Sequence, residues 1–476
     1  MVADDPGMHS SQNEQDSRHY AMGAKLPMLE PSNSAECCAF AKAAFELSEK
    51  HDTPVLLRLH TRVSHSQSLV ELAPREERAL LPYEKRPDKY VMTPANAIRR
   101  HPILEERMRT LGAYANACPF NTVDKGDAKL GIITSGICYQ YVKDVFPTAS
   151  VLKLGMVYPL PEALIREFAA SVEQLYIVEE LDPILETFVR SLGIEVAGGK
   201  AQTGLLGELS QRKLAAAFGL GVPNSAAFDE ALPVRPPVPC PGCPHRGLFY
   251  TLNKLKLTVF GDIGCYTLGA MPPLGSIDTT VCMGASISML HGFTKARGED
   301  AAKTTVGVIG DSTFVHSGVT GLIDIVYNQG ISTVLILDNA ITGMTGHQQN
   351  PTTGMTLKNQ PTTQIKLEKL CEGAGVRRVR VEDPQNLASL ERAIVEELAA
   401  DEPSVIIVRR PCALLKSVKP QPPLTVCAEK CAGCRICMRL GCPALVFENG
   451  KAVIDQTLCV GCGLCAQMCH SGGIGR

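Results

Sequence analysis

Charge of one sign is what this sequence most plainly lacks: 47 Lys and Arg stand against 49 Asp and Glu, a formal net charge of −2 over 476 residues. No global field draws such a chain to nucleic acid or to an anionic membrane surface, so partners have to be sought at local sites. Long apolar runs are absent too. None reaches the roughly eighteen residues of a membrane span, and the opening MVADDPGMHSS has no basic stretch followed by an apolar core. A cytoplasmic protein with no nucleic-acid and no membrane partner is therefore expected. Tandem repeats at solenoid periods are missing, and the length leads one to expect about three domains with separate cores.

What is plentiful is cysteine, with 19 residues, nine of them crowded into the last fifty. Disulfide scaffolds belong to short exported chains, so thiolate ligation of metal is the better reading here.

Pattern divides the chain into α/β blocks. Residues 1–65 contain the helical SAECCAFAKAAFELSEKH and the buried strand PVLLRL. Residues 66–127 are charged and punctuated by proline, show no steady apolar period, and read as a connecting segment with little chemistry. In 128–221 the strands LGIITSG, ASVLKLG and QLYIVEE alternate with helices from Tyr139 to Val145 and from Pro161, a small α/β domain. The Pro-rich stretch 222–239 reads as a linker. In 240–417 the strands LTVFGDIG, TTVGVIGD, STVLILDN and PSVIIVRR alternate with helical segments, which predicts a parallel sheet covered on both faces. VKPQPPL then opens the cysteine-rich tail, 418–476.

The tail repeats one pattern twice. Cys431, Cys434 and Cys437 are followed by Cys442, and Cys459, Cys462 and Cys465 by Cys469. In a two-cluster ferredoxin the fourth cysteine of each run ligates the other cluster. One 4Fe-4S cluster would take Cys431, Cys434, Cys437 and Cys469, and the second Cys459, Cys462, Cys465 and Cys442. A pair of zinc sites is the competing reading, disfavoured by the triple spacing. The gap from Cys437 to Cys442 is one residue longer than the usual run, and Cys427 is left as a bystander.

In TTVGVIGDSTFVHSG an apolar strand ends at Gly310-Asp311-Ser312 and a helix follows through Ile325; STVLILDNAITG then ends a second strand at Asp338-Asn339. Neighbouring parallel strands would carry Asp311 and Asn339 to one carboxyl edge beside a helix N-terminus, where an anion binds. Asp311, Asn339 and the Ile341 carbonyl make a hard oxygen set suited to magnesium and a diphosphate. A plain structural turn is the bland alternative.

This Gly-Asp-x turn followed by Asn resembles the thiamine diphosphate signature. CPGCPHRGLFY, GDIGCYTLGAMPP and DNAITGMTGHQ resemble segments of the 2-oxoacid:ferredoxin oxidoreductases, and the order of domains agrees. Within that superfamily DDPGMHSSQNEQDSR, CPGCPHRGLFY, GDSTFVHSG and MTGHQQNP are most similar to the alpha-subunit family of indolepyruvate ferredoxin oxidoreductase, over residues 1 to 476. The resemblance implies thiamine diphosphate-binding parallel-sheet domains plus a C-terminal two-cluster ferredoxin-like domain. Residues 1–65 would be part of a pyrimidine-binding domain, 128–221 a transketolase C-terminal-like domain and 240–417 the diphosphate-binding domain. The activity implied is oxidative decarboxylation of an arylpyruvate with coenzyme A, electrons leaving through the clusters to a ferredoxin, in company with a beta subunit. The alternatives are a relic acting only in electron transfer and a non-redox thiamine decarboxylase.

Further roles follow from the same resemblance. Cys240, Cys243, Cys265 and Cys412 match positions that hold a third, proximal cluster; zinc, or plain burial, is the alternative. Gly264, Cys265 and Tyr266 would offer backbone N–H groups to the diphosphate, a tight βα turn with no ligand being the alternative, and His245 and His347 are candidate polar contacts, His9 less so, with a structural role as their alternative. Cys118, Cys138, Cys282 and Cys371 read as core residues. The glutamate that activates the aminopyrimidine ring in such enzymes is not assignable: neither Glu14 nor Glu30 stands in the matching place. Part of the pyrimidine-binding domain is expected to precede Met1 in the family, leaving apolar surface exposed in the first hundred residues.

Overall fold

The computed structural model describes residues 1–77, 79–80, 82–221, 231 and 236–476. Most of the expected linker 222–239 lies outside the described residues. The chain divides into two compact units, Met1–Glu230 and Ala231–Arg476.

The first unit holds two four-stranded sheets built from β1 (Val2–Asp4), β2 (Met28–Leu29), β3 (Leu56–His60), β4 (Thr122–Asp124), β5 (Asp127–Ser135), β6 (Ala149–Leu154), β7 (Met156–Tyr158) and β8 (Gln174–Val178). Their orders are β1-β3-β2-β7 and β4-β6-β5-β8, parallel except where β7 and β4 join antiparallel. The carboxyl ends of β1 and β3 meet in a buried ion network. Arg58 donates to Asp4 (2.6 Å) and Glu30 (2.8 Å), Arg18 to Glu179 (2.6 Å), and His60 Nδ1 lies 2.7 Å from Glu180. Burying charged and polar groups is costly unless each has a partner at hydrogen-bond distance, and this network supplies those partners.

Residues 66–127 depart from expectation. Within this reach stands a 23-residue helix, Pro94–Asn116, started by Thr93, whose hydroxyl accepts from Asn96 N–H, and by Pro94 in its first turn. Only Leu111 and Ala115 of this helix are buried, packed with Phe40, Leu47 and Met156. So narrow a stripe, with Pro102 inside the helix, hides the period in the sequence.

The second unit is built on β9 (Thr258–Phe260), β10 (Thr305–Gly310), β11 (Thr333–Asp338), β12 (Arg378–Glu382) and β13 (Ser404–Arg409), all parallel in the order β12-β13-β11-β10-β9. Alternate side chains go to opposite faces. Val306, Val308, Leu335, Leu337 and Ile406 pack against the helices His245–Leu255 and Leu387–Leu398; Ile309, Val334, Ile336, Val405 and Ile407 pack against Ala285–Arg297, Val319–Tyr327 and Leu367–Gly373. Both faces are therefore apolar, as a covered parallel sheet requires.

In the tail of this unit β14 (Thr425–Val426) pairs antiparallel with β17 (Ile474–Gly475), and β15 (Leu445–Glu448) with β16 (Lys451–Ile454). Gln467 fastens it to the sheet domain, its amide donating to Gln385 O (2.6 Å) and accepting from Leu387 N–H (3.2 Å). Among the described residues no helix is long and apolar enough to cross a membrane.

Candidate diphosphate site and thiol groups

β10 and β11 are adjacent, with Gly310 opposite Leu337, so Asp311 and Asn339 emerge at the same edge as the sequence predicts. The pocket there is lined by His245, Gly264, Cys265, Tyr266, Gly310, Asp311, Ser312, Asn339 and Ile341, among others. Gly310 is required by packing: a Cβ on it would lie 2.7 Å from the Tyr266 ring.

Asp311 is buried. Its carboxylate accepts from Ser312 N–H (2.7 Å), Thr352 Oγ1 (3.1 Å) and Asn350 Nδ2 (3.4 Å). Among the described residues no cationic side chain pairs with it, and burial together with the Asp338 charge pushes its pKa up to about 6. A magnesium ion would supply the missing positive charge, so the donor set fits the metal. Asn339 reaches His245, Nδ2 to Nε2 at 3.4 Å, while its Oδ1 accepts from Ile341 N–H at 3.3 Å. Burial lowers His245 to about 4, which leaves the ring neutral and able to accept that bond.

Three expectations change. The Gly264 N–H is already spent on Thr267 Oγ1 (3.0 Å), so it is no donor to a diphosphate, although Gly264 lines the pocket. His347 is exposed and outside the lining, and His9 pairs with Glu208 at 3.2 Å. Cys282 is exposed rather than core, because the apolar letters around it belong to a loop before the helix Ala285–Arg297; Cys118, Cys138 and Cys371 are buried. Sequence reading missed Asn350 and Thr352 as partners of Asp311; the polar run QNPTT was their only trace.

The thiols fall into three neighbourhoods. Cys243 is pushed up to about 12 by burial and by Cys240 and Cys265, Cys265 is raised by burial, Cys412 and Cys240, and Cys412 by burial and Cys240. Cys240, Cys243 and Cys265 sit within electrostatic reach of one another and Cys412 within that of Cys240 and Cys265, and Cys265 also lines the pocket at the Asp311–Asn339 edge. In the tail Cys437 feels Cys434, Cys431 and Cys469, while Cys465 feels Cys462, Cys442 and Cys459 first. Cys442, Cys459, Cys462 and Cys465 line a common cavity. Cys427 is exposed and joins neither group; its N–H donates to Gly473 O (2.8 Å). Among the described residues no three His, Cys, Asp or Glu side chains converge on a point as ligands of one ion. A cubane carries its thiolates on the outside of a larger body, so sulfurs that flank a space suit it. Glu14 is held by Gly207 N–H (2.9 Å) and Glu30 by Arg58, so both are engaged.

Comparison with known proteins agrees with this layout. The family model for the thiamine pyrophosphate enzyme C-terminal TPP-binding domain matches residues 262–408, and that for a 4Fe-4S binding domain matches 452–470. The indolepyruvate oxidoreductase subunit IorA of Archaeoglobus fulgidus is 39% identical over 505 aligned positions, covering 100% of this chain and 80% of the relative. That of Thermococcus kodakarensis is 39% identical over 98% of this chain and 80% of the relative. Among solved structures, a 2-oxoglutarate:ferredoxin oxidoreductase from Magnetococcus marinus aligns with 39% of this chain and 67% of its own at 18% identity, TM-score 0.34. With a pocket at the Asp311–Asn339 edge, a cysteine-rich tail and full-chain identity of this order, the chain belongs to the IorA family of indolepyruvate oxidoreductase subunits, thiamine pyrophosphate-dependent oxidoreductases with an iron–sulfur domain.

Proposed function

We propose that this chain is the alpha subunit of an enzyme that converts an arylpyruvate, indolepyruvate foremost, and coenzyme A to the arylacetyl-CoA and carbon dioxide. Two electrons leave one at a time to ferredoxin, and a beta subunit completes the enzyme. The observation that carries the reading is the shared wall: Cys265 lines the Asp311–Asn339 pocket and belongs to the first thiol group, which supports a coupling of that pocket to an iron–sulfur acceptor.

In this reading Asp311, Asn339 and the Ile341 carbonyl hold magnesium, and Gly310, Ser312, Cys265 and Tyr266 surround the diphosphate. Thiamine diphosphate, when bound, supplies the electron-sink chemistry that releases carbon dioxide from a 2-oxoacid. Neutral His245 accepts from the Asn339 amide and so keeps the amide oxygen turned away from it; that oxygen accepts from Ile341 N–H and keeps a second lone pair for the metal. The pairings Cys431, Cys434, Cys437 with Cys469, and Cys459, Cys462, Cys465 with Cys442, hold two 4Fe-4S clusters, and Cys240, Cys243, Cys265 and Cys412 a third.

The test is Asp311→Ala in the assembled enzyme. Thiamine-dependent reduction of ferredoxin should vanish while the visible absorption of the tail clusters stays intact; ferredoxin reduction surviving at the wild-type rate would sink the assignment.

A further inference from the structure

Among the described residues three arginines are essentially fully buried, and one of them is partnered unlike the others. Arg18 and Arg58 each contact at least two carboxylates. Arg246, 1% exposed, contacts none among the described residues. Its guanidinium donates only to carbonyls, those of Leu440, Pro239 and Cys240, and its Nε has no partner. Carbonyl dipoles do not neutralise a buried unit charge, which is disfavoured without an anion beside it.

Thiols occupy the place of the anion. Arg246 lines the cavity formed by Cys442, Cys459, Cys462 and Cys465, and the Cys243 and Cys462 thiols both feel its charge. One Arg246 carbonyl partner, Cys240, belongs to the first thiol group; another, Leu440, lies two residues before Cys442. The guanidinium thus stands between two thiol groups and ties them together.

Resting on the cluster reading above, we propose that Arg246 is the fixed counter-cation of the cluster held by Cys442, Cys459, Cys462 and Cys465, stabilising the electron when it resides there and so setting that cluster as the relay between the other two. The step is a one-electron transfer in which no bond forms or breaks. The electron derives from the 2-oxoacid and leaves to ferredoxin, and while on the relay it adds one negative charge beside Arg246. Net charge near a cluster is among the determinants of its potential. Arg410, although also near Cys462, is half-exposed and neutralised by Asp383 (2.7 Å), so it should have no comparable effect.

The experiment is an EPR-monitored redox titration of the full holoprotein with dithionite, comparing wild type, Arg246→Gln, Arg246→Lys and Arg410→Gln. In Arg246→Gln the reduced-to-oxidised ratio of one tail cluster at a fixed potential should fall about tenfold, a 59 mV drop for a one-electron couple, with the other tail cluster unmoved. Arg246→Lys and Arg410→Gln should stay within about threefold of wild type. Should Arg246→Gln fail to assemble the cluster while Arg246→Lys assembles it, the cation itself is required and the proposal stands. Loss in both variants would make Arg246 a mere tie between carbonyls and overturn it, as would an unchanged titration in Arg246→Gln. Wild-type protein without 4Fe-4S signals would instead refute the cluster reading itself.

Discussion

At the scale of single residues the site turns on Asp311. Its pKa, raised from 3.8 to about 6 by burial and the Asp338 charge, means that ionisation is disfavoured in the folded protein by up to about 3 kcal/mol. The sign follows. A raised carboxyl destabilises the metal-free fold as pH climbs through about 6, whereas below that pH the proton has to leave before magnesium enters. Magnesium-dependent binding of thiamine diphosphate, measured by calorimetry, should therefore weaken about tenfold per pH unit below 6 and change little between pH 7 and 8. A flat profile from pH 5 to 8 would mean that Asp311 does not face the metal. Asp311 and Asn339 were legible in the sequence because each follows an apolar strand. Asn350 and Thr352 were not, since their meeting with Asp311 closes a separation of about forty residues that no local pattern records.

At the scale of elements, strands were read more reliably than the charged helix. Strands such as TTVGVIG and STVLILD are apolar on both faces and bounded by turn residues, whereas β12 lies at the sheet edge with its side chains half exposed and reads as RVRVE. The helix Pro94–Asn116 was taken for a connector because two buried residues in 23 do not make a period. Its attachment is testable. Leu111→Ala, at a fully buried position, should cost about 3 kcal/mol and speed amide exchange along the helix about a hundredfold. Ile103→Ala, on the exposed side, should change it within about 0.5 kcal/mol. Equal effects would show that the Phe40–Leu47 cluster does not hold the helix.

At the scale of the whole molecule, the proposed cluster ligand sets can be tested one cysteine at a time. The pairing across the tail predicts that Cys469→Ser removes the EPR signal of the cluster shared with Cys431, Cys434 and Cys437 and spares the one held by Cys459, Cys462 and Cys465. If the contiguous run were the ligand set, the spared and lost signals would exchange. The tail is tied to the sheet domain by Gln467, which donates to Gln385 O, and by Arg246, which donates to Leu440 O.

The division between sequence and tertiary structure follows from contact range. Cysteine spacing, the two-residue alternation of the strands and the Gly-Asp turn are local, and by themselves they determined the α/β class, the paired cysteine motif and the placing of Asp311 and Asn339 at one sheet edge. That the Gly264 N–H is engaged by Thr267, that His245 is buried and neutral, that Cys282 faces outward, and that Arg246 stands between two thiol groups were decided only in three dimensions. Burial and unpaired charge belong to a site assembled from distant segments; the carbonyl of Leu440 reaches Arg246 across 194 positions of chain.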